Sequence, residues 1–295
     1  MTRVHFAVVG HLTVDELEHG AFVGGSVLYA GLAAHALGAE VHVWTSIGAD
    51  FPGHPGLQGS GVFVDAAPAP HTTRFVERYE GGSRTAHVLQ TAPPLKTSRV
   101  LEQLDASASS QRGPQVRFIC PVLNEVSREG WAQSPGTLMA AGLQGWLRRV
   151  DSTGRVVPSP LGDPRFLAPF DVVFCSDEDL GADVESEIQA LCSEVPCVVV
   201  TEGARGARLY CDGRTYRVHP EPTTEVDPTG AGDTFAACFL MALAQGKDAR
   251  EAAVWGACGA ARVIAAPGAE GVAQLRGLAK AVEHYRTTTP WPEPI

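Results

Sequence analysis

Short apolar runs recur along the chain and predict a buried sheet. The first, at 4–10, is almost continuously apolar and ends in Gly10. Strands that are apolar at every position, rather than at alternate ones, indicate a sheet covered on both faces. Comparable runs follow at 41–47, 116–122, 170–175 and 197–200.

Two stretches rich in Ala and Leu predict helices among these strands. They cover residues 27–37 and 236–244, and Gly38 follows the first of them, as is common where a helix ends. Buried strands that alternate with apolar helices predict an α/β fold with a doubly wound, mostly parallel sheet. In such a sheet, ligands bind at the carboxyl ends of the strands.

Residues 72–90 have a different pattern. Polar and apolar residues alternate on either side of Gly81 and Gly82, which predicts a β-hairpin. Because a hairpin with polar residues on both faces does not belong in a core, we expect it to form most of a small β lid. Arg74, near its start, either contacts the substrate or the transferred phosphate, or is a solvated strand residue.

The length and composition fit one large α/β domain with an appendage, or two small domains. Of the 295 residues, 44% are hydrophobic and 19% are charged, which is enough for a sizeable core. No internal repeat or long linker divides the chain, so we predict a single domain at 1–295 with the lid at about 72–90. The net charge of −10 argues against nucleic acid and anionic membranes as main partners.

The cysteines and the start of the chain predict a cytoplasmic protein. The seven cysteines include no C-x-x-C pair, and several lie in apolar runs such as 197–200, so we expect reduced core thiols. No apolar run approaches the roughly 18 residues that span a bilayer. The first residues also lack the basic and apolar regions of a signal peptide, so we expect no membrane partner.

The segment 225–235 carries the strongest candidate chemistry. Pro228, Gly230 and Gly232 form a turn that opens onto an apolar helix, so backbone N–H groups point at one place in front of a positive helix end. Such a place suits an anion. Asp233 lies in the same first turn, and a carboxylate beside a phosphate is unfavourable unless it accepts a proton from an attacking hydroxyl. Alternatively, Asp233 complements the helix dipole and the glycines only make a turn.

The string from Asp227 to Phe235 resembles the C-terminal signature of the ribokinase-like (pfkB) carbohydrate kinase family, D-x-T-G-A-G-D-S/T-F, and matches it at every specified position. The resemblance implies that Asp233 is the catalytic base and that ATP is the phosphoryl donor. It also implies an anion hole for the transferred phosphoryl group, formed by the backbone amides of Gly230, Ala231 and Gly232.

The acceptor end of the chain resembles the family less closely. Residues 10–15, which end in Asp15, match the family's opening motif G-x-x-x-x-D, and Gly24 and Gly25 match its G-G pair. Both imply contacts to substrate hydroxyls, although Asp15 could equally be a solvated loop residue or a capping residue. Where commoner members carry Asn, this chain has Tyr29. The ribokinase-type hydroxyl contact is therefore lost, and Tyr29 remains a substrate-binding candidate.

Two further runs match the family in part. The Q-G-x-x-R run implies a polar substrate contact from Gln144, with Gly142 where relatives carry Asp. The N-x-x-E run has Cys175 in place of Asn and keeps Glu178, which the resemblance assigns to the water shell of Mg²⁺. Carboxylates suit such a hard ion, although Glu178 could instead cap a helix.

The nucleotide side follows from a T-x-G-x-x-G run at 201–206. The resemblance implies that ATP lies against this run and the signature loop, in contact with Thr201, Gly203, Gly206, Thr229, Gly230, Gly232 and Gly268. It also makes Asp227 a candidate ligand of a monovalent cation such as K⁺.

Together these features predict an ATP-dependent kinase that transfers the γ-phosphate to a hydroxyl of a small sugar or polyol. The motifs at the acceptor end resemble those of the myo-inositol kinase branch. One alternative is a nucleoside kinase, with Tyr29 or Phe75 stacked on the base. Another is a catalytically weak regulator that binds nucleotide or sugar. The strand edges of the lid would allow a homodimer to form through it.

Overall fold

The protein is described by a computed structural model that covers residues 3–17, 20–59, 61–80, 83–108, 115–181 and 183–295. Short 3₁₀ segments, among them Gln144–Leu147 and Gly268–Gly277, connect the longer elements. In chain order these elements are β1 (His5–Val9), β2 (Thr13–Leu17), β3 (Gly20–Gly24), α1 (Ser26–Ala36), β4 (Glu40–Ile47), β5 (Val62–Pro68), β6 (Thr73–Glu80), β7 (Ser83–Gln90), α2 (Thr97–Ala108), β8 (Gln115–Ile119), β9 (Thr137–Gly142), β10 (Arg148–Val150), β11 (Val156–Pro158), β12 (Val172–Ser176), α3 (Val184–Glu194), β13 (Cys197–Thr201), β14 (Ala207–Cys211), β15 (Arg214–Val218), α4 (Ala231–Ala244), α5 (Ala249–Val263), α6 (Leu278–Thr288) and β16 (Glu293–Pro294).

Ten of these strands form one large sheet in the order β16-β15-β14-β13-β12-β9-β8-β1-β4-β5. All neighbours from β5 across to β13 pair in parallel, whereas β14, β15 and β16 pair antiparallel at one edge. The predicted mostly parallel α/β sheet is confirmed. The apolar runs become its central strands because they are buried on both faces.

Two hydrophobic clusters cover the two faces of this sheet. One contains Phe6, Phe118 and Phe239 together with the apolar residues of α1, α4 and α5. The other contains Trp146 and Phe170 and includes residues of α2 and α3. The two predicted Ala/Leu helices are confirmed as α1 and α4. Both are buried along most of their length, as expected for helices that are apolar on all sides.

A second, four-stranded sheet has the order β3-β2-β6-β7 and forms the lid. The predicted hairpin corresponds to β6 and β7, although Gly81 and Gly82 of its turn lie outside the described residues. β2 and β3 were not predicted. They add a second hairpin that joins β6 in parallel through β2. Asp15 therefore lies on a lid strand rather than in a loop.

Two further features of the chain follow from the described residues. None of the described helices has both the length and the apolar character needed to cross a bilayer. All seven cysteines are free thiols; six are buried, as predicted, and Cys192 is exposed.

Candidate active site

The N-terminus of α4 carries the signature loop. Gly230 caps the helix in the left-handed conformation, with φ 77° and ψ 5°, which suits glycine because a side chain is strained there. The Ala231 N–H donates to Pro228 O at 3.2 Å, so one of the three predicted amides already has a partner. The N–H groups of Gly230 and Gly232 have no partner among the described residues. They remain available to an anion in front of the helix.

Tyr29 packs directly against this cap. The residue is only 4% exposed, and a Cβ built on Gly230 would lie 2.1 Å from Tyr29 Cδ1. The position therefore accepts only glycine, both for its backbone conformation and for the space available. The ring of Tyr29 thus packs against the cap of α4, beside the predicted anion site, and its contact with substrate stays a prediction.

Asp233 lies in the first turn of α4 and faces the start of α1. Its carboxylate accepts a hydrogen bond from the side chain of Ser26, the first residue of α1. Burial raises the pKa of Asp233 to about 6, against the lowering effects of the Ser26 hydrogen bond and the positive charge of Arg148. Such a carboxylate is ionised at neutral pH and is more basic than a solvated one, as a general base requires.

Arg148 and Asp179 form an ion pair close to Asp233. Arg148 Nε and Nη2 donate to Asp179 Oδ1 at 3.3 and 3.1 Å, and Asp179 is only 8% exposed. The two charges act in opposite directions on the pKa of Asp233, which Arg148 lowers and Asp179 raises. The two charges thus make smaller, opposing changes to a pKa that burial raises.

Gln144 begins the 3₁₀ segment that leads to Arg148. Its side chain is partly exposed and makes no hydrogen bond to another described residue. The next residue, Gly145, admits no side chain because a Cβ would lie 2.4 Å from Pro121 O. At Gly142, where relatives carry Asp, a Cβ would lie 3.4 Å from the Cβ of Cys120. Gln144 therefore keeps its amide free for a ligand, and its substrate contact stays a prediction.

Asp15, Gly24 and Gly25 lie together at the junction of the lid and α1. Thr13 Oγ1 donates to Asp15 Oδ1 at 3.2 Å, and a Cβ on Gly24 would lie 2.3 Å from Asp15 Oδ2. Gly25 has φ 94°, and a Cβ there would lie 2.4 Å from His11 O. Gly24 therefore leaves room for the Asp15 carboxylate, and Gly25 lets the chain pass close to His11 just before α1, whose first residue bonds Asp233.

The placement of Arg74 argues against the predicted substrate contact. In the lid, Val14 pairs with Arg74 and Asp15 pairs with Phe75, so the side chains of Arg74 and Asp15 point to opposite faces. The guanidinium of Arg74 lies 3.0 Å from Glu16 Oε1 and 3.8 Å from Asp50 Oδ2. Arg74 is thus a paired strand arginine on the far side of the lid.

Of three consecutive carboxylates after β12, two are engaged by arginines. Asp177 pairs with Arg205 and Asp179 with Arg148, whereas Glu178 is exposed and has no ion pair among the described residues. Glu178 does not cap a helix, because Asp183 caps α3. In the described ranges no three His, Cys, Asp or Glu side chains are grouped to hold a metal. One exposed carboxylate fits Mg²⁺ that keeps its waters and is held mainly by phosphates.

The predicted nucleotide-binding residues form turns at the carboxyl ends of the strands. Thr201 Oγ1 donates to Cys175 O at 3.3 Å, which joins β12 to β13. Gly203 and Gly206 turn the chain into β14 with φ 55° and 88°. At Gly206 a Cβ would lie 2.1 Å from Val218 O, so packing alone requires glycine there.

Asp227 ties the signature loop to the 3₁₀ segment Gly268–Gly277. Its Oδ1 accepts the Thr229 N–H at 2.9 Å and its Oδ2 accepts the Gly268 N–H at 2.8 Å. Each carboxylate oxygen thus accepts one backbone hydrogen bond, and together these two bonds hold Thr229 and Gly268 close to each other. The predicted role of Asp227 as a cation ligand stays a prediction.

Sequence reasoning missed two residues that act on Asp233. Ser26 follows the G-G pair and Asp179 follows Glu178 in the sequence, but neither was predicted to act on Asp233. Ser26 could have been suggested by its position, because it is the first residue of a helix and its hydroxyl can reach the end of a neighbouring helix. Asp179 could not have been identified from the sequence, because only the three-dimensional fold brings it next to Arg148.

Sequence comparisons relate parts of the chain to known kinases. Residues 158–274 match the pfkB family carbohydrate kinase. Inositol 3-kinases of Oryza sativa subsp. japonica and Zea mays are 55% identical over 60 residues and 40% identical over 116 residues, or 20% and 38% of this chain. The matched stretches span 15% and 30% of the lengths of those relatives. A nucleoside kinase of Methanocaldococcus jannaschii is 33% identical over 85 residues, 28% of each chain.

Solved structures extend the similarity over most of the chain. A pyrophosphate-dependent kinase of the ribokinase family, complexed with a pyrophosphate analogue and myo-inositol, has a TM-score of 0.73 at 19% identity and covers 90% of this chain and 98% of its own. Arabidopsis thaliana ribokinase, complexed with ribose and ATP, has a TM-score of 0.73 at 17% identity, with 96% and 99% covered. The chain therefore has a ribokinase-like fold, and its residues 158–274 are similar in sequence to the pfkB family carbohydrate kinases.

Proposed function

We propose that the protein is an ATP-dependent kinase that transfers the γ-phosphate to a hydroxyl of a small sugar or polyol. The observation that carries this proposal is the position of Asp233. Its carboxylate has a pKa raised to about 6 and lies in the helix turn where the N–H groups of Gly230 and Gly232 have no partner among the described residues. A base and an anion site within one turn of helix are what phosphoryl transfer to a hydroxyl needs.

In this mechanism Asp233 accepts the proton of the attacking hydroxyl. Ser26 and Arg148 stabilise the ionised carboxylate before the transfer, and the N–H groups of Gly230 and Gly232 stabilise charge on the transferred phosphoryl group. Asp15 binds other hydroxyls of the acceptor at the edge of the lid. A closed lid excludes water, which would otherwise compete as acceptor.

Glu178 would hold a hydrated Mg²⁺, which supplies charge neutralisation on the donor phosphates when bound. We place ATP against Thr201, Gly203 and the signature loop. Within that loop, Asp227 accepts hydrogen bonds from Thr229 and Gly268. We also predict that the protein binds K⁺, that it is cytoplasmic and that it forms a homodimer through the lid.

An inositol-like cyclic polyol is the acceptor we favour. The two plant relatives are inositol 3-kinases, and a structural neighbour is complexed with myo-inositol. A nucleoside acceptor is the alternative within the same reaction, because the lid offers an aromatic surface at Phe75. A catalytically weak regulator is the alternative from another class.

One assay distinguishes a polyol kinase, a nucleoside kinase and a regulator. Purified protein with ATP and Mg²⁺ is tested for acceptor-dependent ADP formation across cyclitols, hexoses, pentoses and nucleosides, with Asp233→Asn as the control for contaminating kinases. We expect turnover with a cyclic polyol that the variant lacks. If no acceptor stimulates ADP formation above the rate of the variant, the kinase proposal fails and the regulator remains.

A further inference from the structure

His11 lies where the lid joins the main sheet. Four connections of the described chain pass between the two: 10–12 leads from β1 into β2, Gly25 from β3 into α1, 69–72 from β5 into β6, and 91–96 from β7 into α2. His11 belongs to the first of these connections and is only 1% exposed. A ring buried at such a junction needs a hydrogen-bond partner for each of its two nitrogens.

The ring of His11 binds two of the other connections. Its Nε2 lies 3.2 Å from Pro93 O, which can only accept, so Nε2 carries the proton. Burial lowers the pKa of His11, although Glu125 and the bond to Pro93 O raise it, so the ring is neutral at neutral pH. Nδ1 therefore accepts, and its donor is Thr73 Oγ1 at 2.8 Å. Because the same hydroxyl accepts the Ala92 N–H at 3.0 Å, the connections into β6 and out of β7 are held on one imidazole.

The backbone of His11 contacts the remaining connection and the main sheet. Its N–H donates to Glu125 Oε1 at 3.0 Å, and the Glu125 carboxylate also accepts the N–H groups of Val122 and Leu123. Its carbonyl oxygen would lie 2.4 Å from a Cβ on Gly25. One residue thus contacts the three other connections and fixes them to the loop that follows β8.

We propose that His11 is the positioning residue that sets the lid, and with it Asp15, relative to the candidate active site. This inference rests on the kinase activity proposed above. Thr73, which the ring holds, pairs with Thr13 of β2, and Thr13 Oγ1 donates to Asp15 Oδ1 at 3.2 Å. Thr13 also pairs with Gly24, the last residue of β3. A shift of Thr73 therefore passes along this row of paired residues to the carboxylate that we assign to acceptor hydroxyls.

The lid stays attached when the ring is lost, because Asp50 ties the same two connections. Its Oδ1 accepts the N–H and the hydroxyl of Thr72 at 2.8 and 2.9 Å, and its Oδ2 accepts from Gln90 Nε2 at 2.8 Å. The Asp50 side chain is 31% exposed, so these bonds lie nearer to solvent than those of His11. Loss of the ring should therefore displace the lid rather than unfold it.

The test measures KM separately for the acceptor and for ATP, using the polyol with the highest turnover in the panel above. His11→Ala should raise the acceptor KM about tenfold, the effect of losing one buried hydrogen bond, while the KM for ATP stays unchanged. His11→Asn should recover most of this loss, because its amide oxygen can accept from Thr73 at the position of Nδ1. Tyr285→Phe is the matched control, because it also removes a buried hydrogen bond to a backbone carbonyl, from Tyr285 Oη to His219 O at 2.8 Å, outside the lid. Thermal unfolding checks that each variant remains folded.

Hydrogen exchange tests the position of the lid without any turnover. Amides at 72–76 and 88–92 should exchange about tenfold faster in His11→Ala than in wild type, because the bonds that close the two connections are lost. The same amides should keep the wild-type rate in Tyr285→Phe. Equal exchange in His11→Ala and Tyr285→Phe would show that His11 does not hold the connections, and the inference would be wrong.

The outcomes separate this inference from the kinase proposal. If the wild-type protein phosphorylates no acceptor, the kinase proposal fails, whereas faster exchange in His11→Ala still supports His11 as the residue that positions the lid. If a polyol is phosphorylated and His11→Ala keeps the acceptor KM of the Tyr285→Phe control, the kinase proposal stands and the link from His11 to Asp15 is wrong. An equal rise in the KM for ATP, or no recovery in His11→Asn, also overturns that link, since either result indicates a general loss of structure.

Discussion

The ring of Tyr29 occupies the space into which any side chain at Gly230 would project. A Cβ at Gly230 would lie 2.1 Å from Cδ1 and 2.3 Å from Cγ of that ring. Tyr29 belongs to the first turn of α1 and Gly230 caps α4, and the two helices pack against each other. The cap of α4, where we predict that an anion binds, is therefore packed against a residue about two hundred positions away in the chain.

Gly230→Ala should reduce both stability and turnover. The new methyl group would clash with Tyr29, and the left-handed conformation at φ 77° would add strain. Together these effects should lower the free energy of unfolding by about 2 to 5 kcal/mol. Gly246→Ala is the control, because φ is 84° there but a Cβ has open space; its cost should be only about 1 kcal/mol. Equal losses in urea unfolding of the two variants would contradict the role of Tyr29.

The contact between Tyr29 and Gly230 also marks the limit of what the sequence could predict. The loop at 225–235 and its helix followed from local residues, because glycine conformation and apolar composition act within a few positions. The side chain below the loop could not be predicted, since packing between distant segments leaves no local pattern. Tyr29 was therefore assigned to the substrate by analogy with the Asn of relatives.

The lid, too, could be predicted from the sequence only in part. The hairpin of β6 and β7 was predicted because its alternation is regular and long. The strands β2 and β3 were missed because each is five residues long and their glycines read as a turn. Without β2 the register between Asp15 and Phe75 is unknown, so the face on which Arg74 lies was beyond prediction.

The raised pKa of Asp233 predicts opposite effects of Asp233→Asn on activity and stability. Turnover should fall roughly a hundredfold to ten-thousandfold with the loss of the base. The folded carboxyl has a pKa of about 6 against the ordinary 3.8, so wild-type stability declines as pH rises through this interval. At pH 7.5 the variant should be more stable than wild type by about 1 to 3 kcal/mol, because it buries no charge.

Two measurements check this prediction. Unfolding in urea at pH 7.5 and at pH 4 should show the stability gain at the higher pH and its loss at the lower. For the wild-type enzyme, kcat/KM should fall on the acidic side with a midpoint near pH 6. A midpoint near the ordinary value of 3.8 would contradict the burial of the base.

Arg148→Gln and Asp179→Asn should move that acidic midpoint in opposite directions. Removing the positive charge of Arg148 raises the pKa of Asp233, and removing the negative charge of Asp179 lowers it. The pH profile of kcat/KM measures both shifts. Each change also breaks a partly buried ion pair, at a cost of about 1 to 3 kcal/mol, so a purely structural role would lower stability in both variants without moving the midpoint.

Arg74→Ala should leave the acceptor KM within about twofold of wild type and lower stability by about 0.5 to 1 kcal/mol. The guanidinium is paired with Glu16 on the face of the lid opposite to Asp15, and Glu16 is 41% exposed, so solvent screens the pair. Glu16→Ala is the matched variant, and the double variant should show a coupling of similar size. A large rise in acceptor KM for Arg74→Ala alone would restore the substrate contact predicted from the sequence.

Asp227→Asn should weaken ATP binding without affecting the acceptor. An amide can accept the N–H of Thr229 or that of Gly268, but its NH₂ group cannot accept the other, so the junction between the signature loop and the 3₁₀ segment loosens. The loss of one charge-assisted hydrogen bond should raise the KM for ATP about tenfold. Asp151→Asn is the control, since Asp151 Oδ1 accepts the Thr153 N–H at 2.8 Å in an exposed turn.

The same pair of variants tests the predicted monovalent cation. Rates are measured in K⁺ and in Na⁺ at equal ionic strength, so that screening of charges is constant. If Asp227 also binds K⁺, the wild type and Asp151→Asn should be faster in K⁺, and Asp227→Asn should lose that difference. Equal rates of the wild type in both salts would overturn the prediction that Asp227 binds K⁺, because the rate of an enzyme that requires a particular cation depends on which cation is supplied.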